Sequence, residues 1–574
     1  MFALAAAMVS PCEVVDCRLP HPSSPAPTGA ELLVEALYAL GVRRAFGVMG
    51  GAIARFCEAA RRAGIALVHA RHETGAVFMA SEAHFATGEP VVVFTTTGPG
   101  ATNAVTGLVS AVWDGAKVIA VVGGTNLAER GRLSFQETAA QALELTGWLG
   151  RDRASMRACI ESGTQVPGIA RRLATGLARP GGFVAALTVP QGVQAASTPG
   201  VRLPPLSHSS LTPVDVAQVA RLQSRLCEGD LVIWAGFGTR HAAPALTALV
   251  ERSGARVMCS PRAKGVFPES HPHYLGVTGM FGGQARVQEA LAARPPDHVL
   301  VLGSRLGQAT SCFDPAYLPR RALVHVDVDP SAFGAAYPET ETIGVQATIE
   351  PWLDALVEAW PLASKPELTP VAASGALAVT RGPVHPRALM AAVQRRVVEQ
   401  SNAVVLSDVG NAFAWANHDL VFDAPHRYRT AAGFGSMTQA SAGVVGTALA
   451  TRRPAVALVG DGAMLMGNEV STAVQYQVPA KWIVLNDACY GMVHHGMVAV
   501  GMEPFETRMP RVDFVAFARA LGAEGMRVTH AGELDEALHR MLEHEGPFVL
   551  DVVVDDTVPP PFGRRNDALG RAWE

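Results

Sequence analysis

Most apolar residues of this chain fall in short unbroken runs rather than in alternation. Arg44–Val48, Val91–Thr95, Val118–Val122 and Phe183–Leu187 read as strands in the first third. LVIWAGFG, HVLVLGSR and ALVHVDVDP read so in the middle, and VVLSDVG, AVALVGDG, WIVLND and FVLDVVVDD in the last third. Segments of helical period separate them. A strand that is apolar on both faces is covered by helices on both sides, so the pattern predicts an α/β fold of doubly wound parallel sheets. Two stretches rich in Pro, Ser and Gly, residues 195–213 and 364–386, interrupt it and read as linkers. They divide the chain into a loose extension over residues 1–27, a first domain over 28–194, a central domain over 195–363 and a third domain over 364–574. The first and third domains each carry a Gly-rich loop directly after a strand, so they are expected to share a fold.

Composition narrows the classes. A length of 574 residues suits several domains, and 49% hydrophobic against 17% charged residues suits a filled core rather than disorder. A formal net charge of -4 gives no reason to expect nucleic acid or an anionic membrane as partner. No apolar run is long enough to cross a bilayer. The apolar stretch from Met1 to Val9 lacks the basic start of a signal peptide. The eight cysteines are scattered without a Cys-x-x-Cys pair, as expected in a reducing cytoplasm.

The strongest chemical signal is Gly460-Asp461-Gly462 at the end of one strand, with Asn486-Asp487 at the end of the next and a helix between. Both ends emerge at the carboxyl edge of a parallel sheet, where such sheets bind ligands. The glycines let backbone approach phosphate. Asp461 offers a hard oxygen ligand, Asn486 or Asp487 a second, and a backbone carbonyl just beyond it a third. With a helix N-terminus beside them, they suit a magnesium ion holding a diphosphate. Either turn alone would pass for an ordinary strand-to-helix connection.

Other segments are weaker taken singly. Arg71-His72-Glu73-Thr74-Gly75-Ala76 sets a carboxylate before small apolar residues, so Glu73 is expected to be buried and able to shuttle protons. Thr97-Gly98-Pro99-Gly100-Ala101-Thr102-Asn103 follows a strand. Asn103 stands where a dinucleotide loop has its third glycine, which counts against a nicotinamide. Gly433-Phe434-Gly435-Ser436-Met437 precedes an Ala-rich helix. Met437, the stretch Phe135-Gln136-Glu137-Thr138, and Met492 with His494 and His495 are residue types that more often serve packing, and the histidine pair lacks the partners of a zinc site.

Together and in this order, from about Leu32 to Asp555, these motifs resemble the thiamine diphosphate-dependent enzymes and, within them, the acetolactate synthase-like group. RHETGA resembles that group's Arg-His-Glu-x-Gly-Ala, TTGPGATNAVTGL its Ser-Gly-Pro-Gly-Ala-Thr-Asn loop, and SFQET its Phe-Gln-Glu stretch. The resemblance implies a pyrimidine-binding, a central and a diphosphate-binding domain. It implies that Glu73 hydrogen-bonds the aminopyrimidine ring of the cofactor, that Met437 props the cofactor in a bent shape, and that the Gly435 carbonyl holds its exocyclic amine. Gly410, Asn411, Ala412, Gly460, Gly462, Ala463 and Met492 would complete the cofactor site. Asp461, Asp487 and the carbonyl of Cys489 would hold Mg2+. Phe135 and Gln136 would lie beside the reacting carbon, with His494 and His495 orienting the acceptor. In this family the glutamate and the metal site come from different subunits, so a homodimer is the minimum implied and a homotetramer is expected.

The departures bear on substrate. Asp487 stands where the group usually has Asn, Arg151 where acetolactate synthases carry Lys, Gly496 where they carry Trp, and Met49 where a Pro is common. The paired histidines of pyruvate decarboxylases are missing near Thr125 to Arg132. The activity implied is carboligation: decarboxylation of a 2-oxo acid, with pyruvate the expected donor, and transfer of the acyl unit to a second carbonyl compound. The alternative is a lyase or decarboxylase acting on a 2-hydroxy ketone, 2-oxo acid or acyl-CoA. A non-catalytic subunit is disfavoured by the retained Glu73, Asp461 and Met437, and a nicotinamide dehydrogenase by the defective fingerprint. FAD, which many acetolactate synthases bind in the central domain, is compatible with the resemblance, but GSRLGQATSCFD and VDVDPSAFG form no residue set that demands it.

Overall fold

A computed structural model of the chain describes residues 26–137, 155–206, 213–361 and 382–562. Thr138, Arg151 and most of the second linker lie outside these residues, as do 207–212 of the first. The first sheet comprises β1 (Arg44–Gly47), β2 (Ala66–His69), β3 (Val91–Thr95), β4 (Lys117–Gly124), β5 (Ser155–Cys159) and β6 (Phe183–Pro190). The second comprises β7 (Leu231–Ala235), β8 (Arg256–Cys259), β9 (Tyr274–Val277), β10 (His298–Leu302), β11 (Ala322–Asp327) and β12 (Thr342–Gln346). The third comprises β13 (Val404–Ser407), β14 (Tyr428–Thr430), β15 (Ala455–Gly460), β16 (Ala480–Asn486), β17 (Glu524–Val528) and β18 (Phe548–Val553). All pairings within the sheets are parallel. Inner strands such as β3, β7 and β10 are buried along their whole length, as expected of strands with helices on both faces.

The strand orders are β2-β1-β3-β4-β6-β5 in the first sheet and β14-β13-β15-β16-β18-β17 in the third. Counted from its own first strand, each is 2-1-3-4-6-5, so the two domains share a topology. The central sheet runs β12-β11-β10-β7-β8-β9, the Rossmann order. There the turns after β7 and β10 pack on each other. Gly238 donates its N–H to the Gly303 carbonyl at 3.0 Å, and a side-chain carbon on Gly236 would lie 2.3 Å from that oxygen.

The first and third domains share one hydrophobic core, in which Phe46, Val77 and Met79 join Val444, Val445 and Trp482. Helix Glu73–Thr87 lies against helix Gln439–Thr451, and glycines bring the backbones together. A side-chain carbon at Gly446 would meet the Met79 carbonyl oxygen at 2.0 Å, and one at Gly443 would meet Cγ of Glu82 at 2.6 Å. The buried pair Glu82–Arg429, at 3.0 Å, closes the far end of this contact. Ser110 donates to Gln439 at 2.6 Å and Gln439 to Asp114 at 2.7 Å, which ties in the neighbouring helix Val105–Asp114. Among the described residues, no helix is long and apolar enough to cross a membrane.

Forcing a side chain between two well-packed backbones costs about 1–3 kcal/mol. Gly446→Val should lower the free energy of urea unfolding by about that amount, and Gly443→Ser, at the wider point of the contact, should lower it less.

Candidate functional site

In the first domain, the turn after β2 leads into helix Glu73–Thr87, and the turn after β3 leads into the short helix Pro99–Asn103. Glu73 opens its helix and is 7% exposed. Asn103 donates its side-chain amide to Glu73 Oε2 at 3.1 Å. The carbonyl of Asn103 in turn accepts the Thr74 hydroxyl, so this asparagine is gripped from both sides. A side chain at Gly100 would sit 3.2 Å from Glu73 Oε1, so glycine leaves that oxygen its space. Gln136, in the left-handed region at φ 55°, lies over the same turn: its carbonyl accepts the Thr97 hydroxyl at 2.8 Å, and its Cβ would be 2.8 Å from a side chain on Gly98. Phe135 beside it is 90% exposed.

In the third domain, β15 and β16 leave the sheet edge together, since Gly460 pairs with Leu485. Asp461 and Asp487 therefore emerge side by side, 3% and 7% exposed. Asp461 Oδ1 accepts the Gly462 N–H at 2.7 Å, while its Oδ2 is buried with no partner. Asp487 accepts the Cys489 N–H at 3.2 Å and the Asn411 amide at 3.4 Å. Burial raises the pKa of both carboxyls. For Asp487, burial and then the charge of Asp461 push it from 3.8 up to about 7. Asn486 is committed elsewhere: its amide donates to Asp551 at 2.8 Å and to the Val512 carbonyl at 2.9 Å, which leaves Asp487 as the residue facing Asp461. Ala488, at φ 56°, turns the chain so that Cys489 can bridge to Arg508.

The loop after β13 completes this end. Gly410, at φ 84°, is the N-cap of helix Asn411–Asp419, a conformation that a side chain would strain. Asn411 Oδ1 is a second buried oxygen without a partner, and Ala412 is fully buried behind it. Gly491 packs so tightly that a side chain would reach the Asn411 amide at 2.3 Å and Asp487 at 2.5 Å. β13 and β15 are adjacent although a strand intervenes in sequence, so Gly410 and Asp461 flank the switch point where such sheets hold ligands. Asp408, missed in the sequence reading, braces the loop. Fully buried, with burial pushing its carboxyl up to about 7, it accepts the N–H groups of Val409 and Ser441 at 3.0 and 3.2 Å. It thus joins the Gly410 loop to the start of helix Gln439–Thr451.

Met437 precedes that helix and is 37% exposed, not a core residue, and Gly435 holds φ 77°. His494 Nδ1 bonds the Thr507 hydroxyl at 2.9 Å, and the His494 and His495 rings meet edge to face at 5.3 Å. Met492 packs against Phe281, Phe413 and Ala414, and Ala463 lies in the first helical turn after Asp461. Within the chain, Glu73 accepts from Asn103, and Asp487, beside Asp461, accepts from Asn411; the structure gives two half-sites, one on each of the two similar sheets.

Residues 27–143 match the thiamine pyrophosphate enzyme N-terminal TPP binding domain, 229–356 the central domain and 408–552 the C-terminal TPP binding domain. The chain belongs to the thiamine pyrophosphate enzyme family. It is 31% identical over 539 residues to the protein named "Putative acetolactate synthase large subunit IlvB2" of Mycobacterium tuberculosis, covering 89% of this chain and 94% of that one. It is 27% identical over 542 residues to the acetolactate synthase isozyme 2 large subunit of Escherichia coli, covering 92% and 96%. Its fold matches the thiamine diphosphate-dependent 4-hydroxybenzoylformate decarboxylase of Rhodococcus jostii RHA1, with a TM-score of 0.80 at 22% identity over 92% of this chain and 99% of that one.

The third-domain half-site fits the diphosphate (pyrophosphate) end of this family's cofactor with a divalent cation. Two buried oxygens, on Asp461 and Asn411, lack partners, and two adjacent carboxylates repel each other until a cation lies between them. Among the described residues no three His, Cys, Asp or Glu side chains gather around a metal, so backbone carbonyl and phosphate oxygens would fill the remaining positions.

The raised pKa of Asp487 has a definite sign. An unfolded aspartate ionises near 3.8 and this one near 7, so its charge destabilises the metal-free fold increasingly between those values and fully above them. Asp487→Asn should therefore make the metal-free protein more stable by about 1–3 kcal/mol at pH 8, with the gain gone at pH 3.5, while weakening divalent-cation binding. Thermal unfolding across that pH range, paired with a Mg2+ titration, checks both.

Proposed function

We propose that this chain is a Mg2+-dependent carboligase that takes an acyl unit from a 2-oxo acid, with pyruvate as donor, and joins it to a second carbonyl compound to give an acyloin or acetohydroxy acid. The observation that carries the reading is the complementary pair of half-sites: a buried carboxylate held by an amide on the first sheet, and a buried carboxylate pair on its topological twin. Similarity over nearly the whole chain to acetolactate synthase large subunits supports carboligation over other chemistry of the family.

When bound, thiamine diphosphate supplies the electron sink that accepts the pair left by departing carbon dioxide. The chain's residues would do the rest. Asp461, Asp487 and the Cys489 carbonyl would hold the cation, and the turns at Gly410–Ala412 and Gly460–Ala463 the diphosphate. Met437 would support the bend and the Gly435 carbonyl the exocyclic amine, with Met492 beside them. Glu73, its second oxygen steadied by Asn103, would hold the aminopyrimidine ring and pass a proton. Gln136, over the Thr97–Gly98 turn, and His494 and His495 would orient the acceptor. Gly496 in place of a bulky side chain widens the acceptor space. Residues 28–194, 195–363 and 364–574 are proposed as the pyrimidine-binding, central and diphosphate-binding units. A homodimer would bring Glu73 of one chain to the carboxylate pair of the other. The exposure of Met437 and Phe434 on the single chain favours such a partner, and two dimers would make a homotetramer, working in the cytoplasm.

Glu73→Gln should lower turnover by at least about a hundredfold while thiamine diphosphate still binds; wild-type turnover in that variant would sink the assignment. Fed pyruvate with a panel of aldehydes and 2-oxo acids, the wild-type protein should release carbon dioxide and form a new carbon–carbon bond. Free aldehyde without such a product would identify a decarboxylase instead.

A further inference from the structure

Helix Glu469–Tyr476 follows the Asp461 turn in the third domain, yet its polar side chains are directed at the first domain. Tyr476 accepts the His69 N–H at 2.8 Å and donates to the Leu67 carbonyl at 3.3 Å. Ser471 and Gln475 each accept from the Arg71 guanidinium at 2.7 Å. At the head of the helix, Glu469 is 2% exposed. Its Oε1 accepts the backbone N–H groups of Arg71 and His72, both at 3.2 Å, and its Oε2 accepts the Thr472 hydroxyl at 2.6 Å and shares the Arg71 N–H at 3.3 Å. Opposite stands Gly75, where a side-chain carbon would lie 2.5 Å from Oε1.

The strand end and turn from Leu67 to His72 are thus stitched to one short helix, and the next residue is Glu73. We propose that Glu469 is a positioning residue for Glu73: its buried carboxylate pins the two amides ahead of Glu73 and sets where the first turn of helix Glu73–Thr87 begins. The proposal rests on the reading of Glu73 as the proton-passing carboxylate. A buried carboxylate that accepts several N–H groups is a rigid anchor, because losing it leaves the Arg71 and His72 N–H groups without the acceptor that fixes their direction. Glu469 also begins the helix that follows the metal turn, so one short element links the diphosphate end of the chain to the glutamate.

The test uses the full-length protein with Glu469→Gln and Glu469→Ala. In the cofactor-free protein, hydrogen exchange at the Arg71 and His72 amides should accelerate by about tenfold in the alanine variant and less in the glutamine variant, which keeps one acceptor oxygen. Turnover should fall in the same order, by about tenfold or more in the alanine variant, because small misplacements of a reacting group are costly. Affinity for thiamine diphosphate with Mg2+, followed by quenching of tryptophan fluorescence, should change less than about threefold, since the cation and diphosphate contacts are untouched. Combining Glu469→Ala with Glu73→Gln should lower turnover no further than Glu73→Gln alone. Wild-type turnover despite faster exchange, additive losses in the double variant, or cofactor affinity falling in step with turnover would each overturn the proposal. If the alanine variant does not fold, the glutamine variant decides by the same comparisons. Full turnover in Glu73→Gln alone would instead remove the functional reading, and the exchange data would still say whether Glu469 holds the turn.

Discussion

The approach of helix Glu73–Thr87 to helix Gln439–Thr451 governs the rest of the molecule. Helices separated by hundreds of residues touch backbone to backbone at Gly446 and backbone to side chain at Gly443, because neither glycine presents a Cβ. That contact merges the cores of two domains that would otherwise be independent α/β units. Glu73 sits at the open end of the first helix, and the Gly435–Met437 loop leads into the second. Packing density in the shared core therefore fixes the positions of groups that would do chemistry at its margins. The ion pair Glu82–Arg429 at the opposite end adds orientation more than net stability, as buried pairs usually do.

At the third-domain sheet edge the electrostatics run against the fold. Asp461 and Asp487 sit together in a low-dielectric pocket, with only a few N–H donors to steady them. Such an arrangement persists when a function needs it and the surrounding structure can bear it. Here the support is visible beneath the site: Asn486 is clamped by Asp551, Asp551 by Arg527 at 2.6 Å, and the Asn486 carbonyl by Arg511. This buried polar layer lets the next residue along, Asp487, be held facing a like charge.

Much of the architecture is readable from local pattern. Unbroken apolar runs mark most inner strands, and the paired turns at 460–462 and 486–487 mark the binding edge. What escapes is whatever depends on distant partners or on partial burial. Edge strands such as β2, β5, β12 and β17 carry exposed positions and lose the continuous run, while β14 has only three residues. The helix expected between Asp461 and Asn486 is broken in two at Gly467-Asn468, where Gly467 must clear the Thr438 hydroxyl. Asn103 reads as a flaw in a dinucleotide loop and proves to be the partner of Glu73. Whether Asn486 or Asp487 faces the site is open from sequence and is decided by Asp551, 65 residues away in the chain but on the neighbouring strand. Asp408 and Glu469 look like ordinary loop and helix-start acids, because their deciding partners, Ser441 for the first and Arg71 and His72 for the second, are distant in sequence.

The fit of Gly75 against the Glu469 carboxylate ties together two positions far apart in the chain. An alanine at 75 would occupy the space of Oε1, so the Glu469 carboxylate would have to shift and loosen its hold on the Arg71 and His72 amides. A shorter acid at 469 would in turn release the turn ahead of Glu73 even where glycine stays. A change at either position alone therefore loosens the same turn, and the two residues share one structural constraint. In a lineage of such chains the two columns should be frozen together or should move together, although no contact between neighbouring residues would suggest that they are one evolutionary site.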